Sequence, residues 1–169
     1  MTVFKDLHNV KELLPAKGRL LSLDVGTKRI GIAMSDETRL VATPKLILKR
    51  QGNQNDFTKI ANIIYENSIV AIIVGWPINL DGSSSQMSDF VERFSEGLDV
   101  FLKGGVEKKE FYQNIYLLDE GLSSFAARGI NNAKSSRAKN EFYDDIAAAV
   151  ILQDFLFLLE DVTEPLTSN

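Results

Sequence analysis

The pattern of apolar and polar positions divides the chain into short apolar segments separated by polar turns. Three of these segments follow one another closely, at residues 19–23, 30–35 and 41–48. Because their connections are too short for a parallel crossover, they predict three neighbouring antiparallel strands. Pro44 interrupts the third segment, so we expect that strand to start there or to lie at an edge of the sheet.

The rest of the chain alternates between helical and extended patterns. Apolar residues recur at helical spacing over 56–66 and 86–102, whereas 69–74 is a continuous apolar run typical of a strand buried on both faces. One further short strand and two further helices are predicted, at 115–118, 123–130 and 143–158. Three antiparallel strands followed by alternating helices and strands predict a mixed α/β sheet with helices on both faces.

The length of 169 residues, without an internal repeat or linker, predicts one domain. We expect this domain to span 18–160, with an N-terminal arm or short helix over 1–17 that is stopped by Pro15. Residues 161–169 have the composition of a flexible tail. No apolar run reaches membrane-spanning length and no signal-peptide pattern is present, so we expect no membrane association and a cytoplasmic protein.

Composition restricts the chemistry that the chain can perform. It contains no cysteine, and its one histidine, His8, lies in a polar N-terminal segment. Any metal must therefore be held by oxygen ligands, which favours magnesium or manganese. The net charge of −4 argues against a generally basic nucleic-acid-binding protein, although a local basic patch would be sufficient for phosphate binding.

The strongest candidate for chemistry is a carboxylate at the end of the first strand, Asp24, followed by a glycine turn. This turn carries two glycines, a hydroxyl and two cations: Gly26, Thr27, Lys28, Arg29 and Gly31. Glycine permits tight turns and close backbone approach, and the other three side chains can donate to phosphate oxygens. A carboxylate beside such a turn suits the joint binding of a metal and a phosphate.

Two further acidic positions lie where an apolar element ends or begins. Glu120 follows the strand at 115–118, and Asp144 and Asp145 begin the last helix. Neighbouring helix residues point about 100° apart, so only one of this pair can face a shared site. Carboxylates gathered at one sheet end can share divalent cations, and two such ions catalyse phosphodiester hydrolysis. Each acid alone could equally be an ordinary strand-end or helix-cap residue.

Two other features are open to a functional or a structural interpretation. The polar segment 131–140 is predicted to be a loop, with three cations and no acid: Lys134, Arg137 and Lys139. It could bind phosphates or be a solvated connection. Trp76 could stack on a nucleic-acid base or fill the core.

Five segments occur in the order found in one protein family. They are LDVGTKRIG (23–31), VGWP (74–77), DG (81–82), DEGLS (119–123) and DDIAAAVILQ (144–153). With them the chain resembles, over residues 18–158, the YqgF family of RuvX-like nucleases, which have the RNase H-like fold. The resemblance implies metal-binding catalytic acids at Asp24, Glu120 and Asp144, because the spacing to the alanines selects Asp144 over Asp145.

The resemblance also implies a function. It suggests a magnesium- or manganese-dependent, two-metal nuclease that processes the 5′ end of the small-subunit (16S) ribosomal RNA precursor, presented in a ribosomal precursor particle. Resolution of four-way DNA junctions is the alternative, and symmetric junction cleavage would favour a homodimer over a monomer. The implied nucleic-acid contacts are Thr27, Lys28, Arg29 and the cations of segment 131–140.

One departure from the family pattern and one shared motif keep other classes open. Gly121 stands where the family usually has arginine, which could hold a phosphate bidentately, so an inactive binding module is the second interpretation. An Asp-x-Gly-Thr turn also opens the sugar-kinase and actin-like ATPases. Those proteins repeat the fold in two domains, and this chain has room for one.

Overall fold

The computed structural model describes residues 3–79, 81–105, 114–120 and 137–161, with the backbone alone for 105, 137–145 and 161. Six strands form one mixed sheet: β1 (Val3–Phe4), β2 (Arg19–Val25), β3 (Arg29–Ser35), β4 (Ala42–Lys49), β5 (Ile69–Trp76) and β6 (Asn114–Asp119). The helices are α1 (Val10–Leu13), α2 (Asn53–Glu66), α3 (Gln86–Gly105) and α4 (Arg137–Asp161). None of the helices in these ranges is long and apolar enough to cross a membrane.

The sheet has the strand order β1-β6-β5-β2-β3-β4. Strands β2, β3 and β4 form the predicted antiparallel meander, and β5 and β6 add to it in parallel. The mixed-sheet prediction is therefore confirmed. Pro44 lies in β4, which is an edge strand, beside a register shift between Ile32 and Ala33. An edge position suits proline because its missing N–H is not needed by an outer neighbour.

The other edge of the sheet was not predicted. Within the segment expected as an arm or short helix, Val3 and Phe4 pair in parallel with β6, and Phe4 stacks on Tyr116 with ring centroids 5.3 Å apart. A strand of two residues has no periodicity that a sequence could reveal. Its conformation is determined by the tertiary contact with β6.

Helices cover both faces of the sheet, as expected. On one face, α2 and α3 pack against alternate residues of β2, represented by Leu21, Leu23 and Val25. On the other face, α1 and α4 pack against the intervening positions, among which Leu20 is fully buried. The hydroxyl of Ser22 points to the same side, where it donates to the backbone carbonyl of Ala148 in α4 at 2.6 Å.

Several element boundaries differ from the prediction. Strand β2 continues to Val25, so Asp24 lies within the strand and pairs with Gly31 instead of following the strand's end.

Helix α3 begins as expected after a serine cap: Ser85 Oγ accepts from the Ser88 N–H at 3.0 Å, and Ser88 Oγ accepts from the Ser85 N–H at 2.6 Å. This reciprocal pair satisfies two N–H groups at the helix start.

Helix α4 begins six residues before the predicted start at 143. The expected loop at 131–140 is therefore wrong from Arg137 onward, because Arg137 and Lys139 lie in the first turns of the helix. Arginine, alanine, lysine and glutamate in this stretch are all good helix formers, and they outweigh the polar composition that suggested a loop. Lys134 and the predicted helix at 123–130 lie outside the described residues.

Candidate active site

Asp24 lies on the α4 face of the sheet, near the carboxyl end of β2. Strand alternation turns Leu23 and Val25 toward α2 and α3, and it turns Asp24 to the same side as Ser22. Its side chain is half-buried. The sequence therefore places one carboxylate at the rim of the core, where it keeps access to solvent.

The glycine turn forms one wall of a cleft beside Asp24. The Gly26 N–H donates to the Arg29 carbonyl at 2.9 Å, and a Cβ on Gly26 would lie only 2.9 Å from that same oxygen. Glycine is required at this position because the turn closes so tightly. The cleft has a volume of about 210 Å³ and is lined by Asp24, Gly26, Thr27, Lys28, Arg29, Gly31 and Ile47.

A largely buried arginine, Arg50, supports this turn. Arg50 Nη1 donates to the Gly26 carbonyl at 3.4 Å, and the Arg50 N–H donates to the Lys28 carbonyl at 3.0 Å. Arg50 Nε donates to Asp56 Oδ2 at 3.0 Å, and Asp56 is fully buried. The guanidinium also lies 5.2 Å from the ring centroids of Phe90 and Phe94. The ion pair thereby ties the turn to α2 and α3, a role that no sequence pattern indicated.

Glu120 directly follows β6 and lies on the same face as Asp24. Its Oε1 occupies the space above Gly75 of β5, where a Cβ would lie 2.5 Å away. The registers Leu23–Val74 and Gly75–Leu118 place Gly75 between the ends of β2 and β6. A residue without a side chain therefore separates the two acidic positions.

The two carboxylates influence each other. The pKa of Glu120 is raised from 4.5 to about 7, first by burial, then by the negative charge of Asp24 and third by that of Asp119. Such repulsion is relieved when carboxylates share a cation. The donor set contains oxygens only, which suits magnesium or manganese. The ring of His8 is exposed and contacts Asp6, so it belongs to a separate surface contact.

The third predicted acid can be located only by its backbone. Ser22 is level with Ala148, and the Ala42 N–H at the opposite end of the meander donates to Gln153 Oε1 at 3.0 Å. Helix α4 thus runs antiparallel to β2. Asp144 precedes Ala148 by one turn, about 6 Å, and Asp24 follows Ser22 by about 7 Å, so the two backbones reach the same level.

The described side chains bring two of the predicted acids together. No group of three metal-binding side chains occurs among them, and the side chains of Asp144 and Asp145 are not in that set. The choice between this pair stays a prediction. Gly121 and Lys134 also lie outside the described ranges, as do the side chains of Arg137 and Lys139.

Trp76 is accounted for by packing. It is half-buried against the α2–α3 side of the core, and its Nε1 donates to the Ser88 carbonyl at 3.3 Å. Lys5 Nζ lies 5.1 Å from the ring centroid. These contacts favour the core role over base stacking.

The sheet order and the carboxylates at its strand ends define a protein of the RNase H-like fold. The structure is similar to that of Thermus thermophilus RuvC in complex with a Holliday junction substrate, with a TM-score of 0.51 and 13% identity over 83% of this chain and 96% of that one. The chain belongs to the RuvX family, described as Holliday junction resolvase, whose model matches residues 18–157. The resemblance inferred from the motifs is thereby confirmed.

Relatives align with nearly the whole chain. A protein of Ehrlichia canis named as a candidate pre-16S rRNA nuclease is 34% identical over 94% of this chain and 97% of its own length. Proteins with the same name from Thermoanaerobacter pseudethanolicus and Cereibacter sphaeroides are 39% and 36% identical over 82% and 94% of this chain. The two alignments cover 95% and 94% of the lengths of those proteins.

Proposed function

We propose that this protein is a metal-dependent nuclease that hydrolyses phosphodiester bonds in structured nucleic acid. The observation that carries the proposal is the pair Asp24 and Glu120. Their carboxylates lie at the carboxyl ends of β2 and β6, on either side of Gly75 in β5, closely enough that Asp24 contributes to raising the pKa of Glu120. They do so beside a cleft walled by a glycine turn with exposed cations.

The metal-binding residues of the proposal are Asp24, Glu120 and Asp144. Two magnesium or manganese ions at such a site would activate the attacking water and stabilise the leaving oxygen. The surroundings of the carboxylates favour binding of these cations. The carboxylates repel each other without a cation, and the half-buried position of Asp24 limits the water around them.

Phosphate binding falls to the exposed turn. The hydroxyl of Thr27 and the cations of Lys28 and Arg29 line the cleft. The hydrogen bonds of Arg50 hold the backbone from which these groups project. Arg137, Lys139 and Lys134 are a second proposed set of phosphate contacts.

Precursor 16S ribosomal RNA is the proposed substrate. Its support is the name shared by relatives that align with 82% to 94% of this chain. We propose that the RNA is cut at its 5′ end within a precursor particle in the cytoplasm. A four-way DNA junction is the second candidate, favoured by the description of the family model, and its symmetric cleavage would favour a weak homodimer over a monomer.

Cleavage of two labelled substrates tests the proposal. Precursor 16S RNA and a four-way DNA junction are each incubated with magnesium or manganese, and an Asp24→Asn protein is run in parallel to exclude contaminating nucleases. Metal-dependent cleavage of the RNA, lost in the variant, supports the proposal, and cleavage of the junction alone transfers it to recombination. Absence of cleavage of both substrates overturns it in favour of a binding module.

A further inference from the structure

The edge strand β4 places a second cation beside the glycine turn. Asp24 pairs with Gly31, and Gly31 pairs with Ile47, so these three residues form one row across β2, β3 and β4. In the next row on the same face of the sheet, Arg29 pairs with Lys49. The two rows are two residues apart along the strands, which is about 7 Å.

Strand alternation determines the face on which Lys49 lies. Ile47 lines the cleft beside Asp24, and Arg29 lines it from β3. Lys49 follows Ile47 by two residues and is paired with Arg29, so it projects from the same face of the sheet. Both cations are exposed.

The position of β4 leaves this side of the cleft accessible. It is the last strand of the sheet, and at the end beside the cleft Ile47 is half-buried and Lys49 is exposed. A strand of nucleic acid bound at Asp24 can therefore continue outward over β4.

We propose that Lys49, together with Arg29, binds the phosphodiester backbone where the nucleic acid leaves the cleft over the edge of β4. The inference rests on the proposed nuclease function and adds the path of the substrate to it. Lys49 is offset from Asp24 by about 7 Å along the strands and by two strand spacings, about 10 Å, across the sheet. The resulting separation of about 12 Å corresponds to three or four base-pair rises of a duplex, at roughly 3.4 Å each. Lys49 thus contacts a phosphate a few nucleotides from the bond that is cut.

Binding measured without cleavage tests this path. A labelled four-way DNA junction and a labelled precursor RNA are titrated by fluorescence anisotropy in EDTA, from about 50 mM to about 200 mM salt. The variants are Lys49→Ala, Lys49→Arg and Lys59→Ala. Lys59 is the matched control, because it is an exposed lysine of α2 on the opposite face, where its Nζ donates to Gln51 Oε1 at 2.8 Å.

The salt dependence of binding separates the outcomes. Each lost phosphate contact lowers the slope of log affinity against log salt by about 0.9 on duplex DNA, so over this range wild type should lose about 3-fold more affinity than Lys49→Ala. Lys49→Arg and Lys59→Ala should retain the wild-type slope. An unchanged slope in Lys49→Ala, or an equal reduction in Lys59→Ala, overturns the inference.

A failure of this inference is distinguishable from a failure of the nuclease proposal. If wild type cleaves while Lys49→Ala retains the wild-type salt slope, the path over β4 is wrong and the nuclease assignment stands. If Lys49→Ala reduces the slope but wild type cleaves neither substrate with metal, the binding surface stands without the catalytic function. Absence of salt-dependent binding by wild type overturns the path over β4.

Discussion

The carboxylate of Glu120 occupies the space that any side chain at position 75 would fill. A Cβ on Gly75 would lie 2.5 Å from Glu120 Oε1 and 2.5 Å from Ile151 Cδ1. Both neighbours would have to move, one of them a proposed metal ligand and the other a buried contact of α4. Gly75 therefore leaves the space in which the Glu120 carboxylate lies, although the glycine itself bears no functional group.

Gly75→Ala should reduce metal-dependent cleavage by displacing Glu120. The free energy of unfolding should fall by only about 1 kcal/mol, because the two atoms in the way are the ends of flexible side chains. Gly104→Ala is the matched control, because a Cβ there meets nothing within 4 Å and alanine is favoured within a helix. Cleavage rates and urea unfolding of both variants check this. Full activity in Gly75→Ala would contradict the prediction that a side chain at position 75 displaces Glu120 from its catalytic position.

The pKa of Glu120 predicts a pH dependence of stability. This pKa is raised from 4.5 to about 7 in the folded protein. Between these values the native state holds a proton that the unfolded chain has released, so the free energy of unfolding falls as pH rises through this window. Above about pH 7 both states are ionised and the contribution of Glu120 becomes constant.

Urea unfolding in EDTA, from about pH 5 to about pH 8, measures this effect against Glu120→Gln. The variant lacks the titration, so its stability relative to wild type should increase with pH by at most about 1.4 kcal/mol per unit. Parallel pH profiles for the two proteins would contradict the raised pKa.

The ion pair beneath the glycine turn should be essential for stability. Arg50 is 11% exposed and Asp56 is fully buried, so Arg50→Met leaves an unpaired buried carboxylate at a cost of about 3–5 kcal/mol. Arg19→Ala, which breaks an exposed pair with Glu37, should cost less than about 1 kcal/mol. Equal losses in denaturant unfolding would mean that Arg50 does not support the turn.

The last helix offers a comparison between adjacent residues. Asp144→Asn should abolish cleavage, whereas Asp145→Asn should retain most of it, because only one of two neighbouring helix residues can face Asp24. Both substitutions remove one charge from the same helical turn. Cleavage assays with both proteins decide the matter, and the reverse order would show that the acid at 145 is the ligand.

The sequence predicted the parts of the site that depend on local signals. Asp24 and its turn are recognisable because an apolar strand, a glycine and a second strand follow one another within a few residues. Glu120 is predicted to lie nearby because parallel strands end at the same sheet edge. In each case the information lies within one element and its boundary.

The missed features depend on contacts between distant segments. Arg50 supports the turn at Gly26 through cross-strand register, and Lys49 lies opposite Arg29 for the same reason. Gly75 matters because of a side chain 45 positions later. Gly75 is part of the VGWP motif (74–77), but the motif does not show that the glycine leaves room for Glu120. Register and interlayer packing are decided by the whole fold, so the sequence pattern does not give the reason for these residues.

Binding of manganese tests the central claim most directly. Isothermal titration of wild type, Asp24→Asn, Glu120→Gln and Glu66→Gln compares two proposed ligands with an exposed acid at the end of α2. Wild type and Glu66→Gln should bind manganese alike, and each of the other two should lose at least 10-fold in affinity, about 1.4 kcal/mol. Unchanged manganese affinity in both Asp24→Asn and Glu120→Gln would show that these carboxylates do not hold the metal.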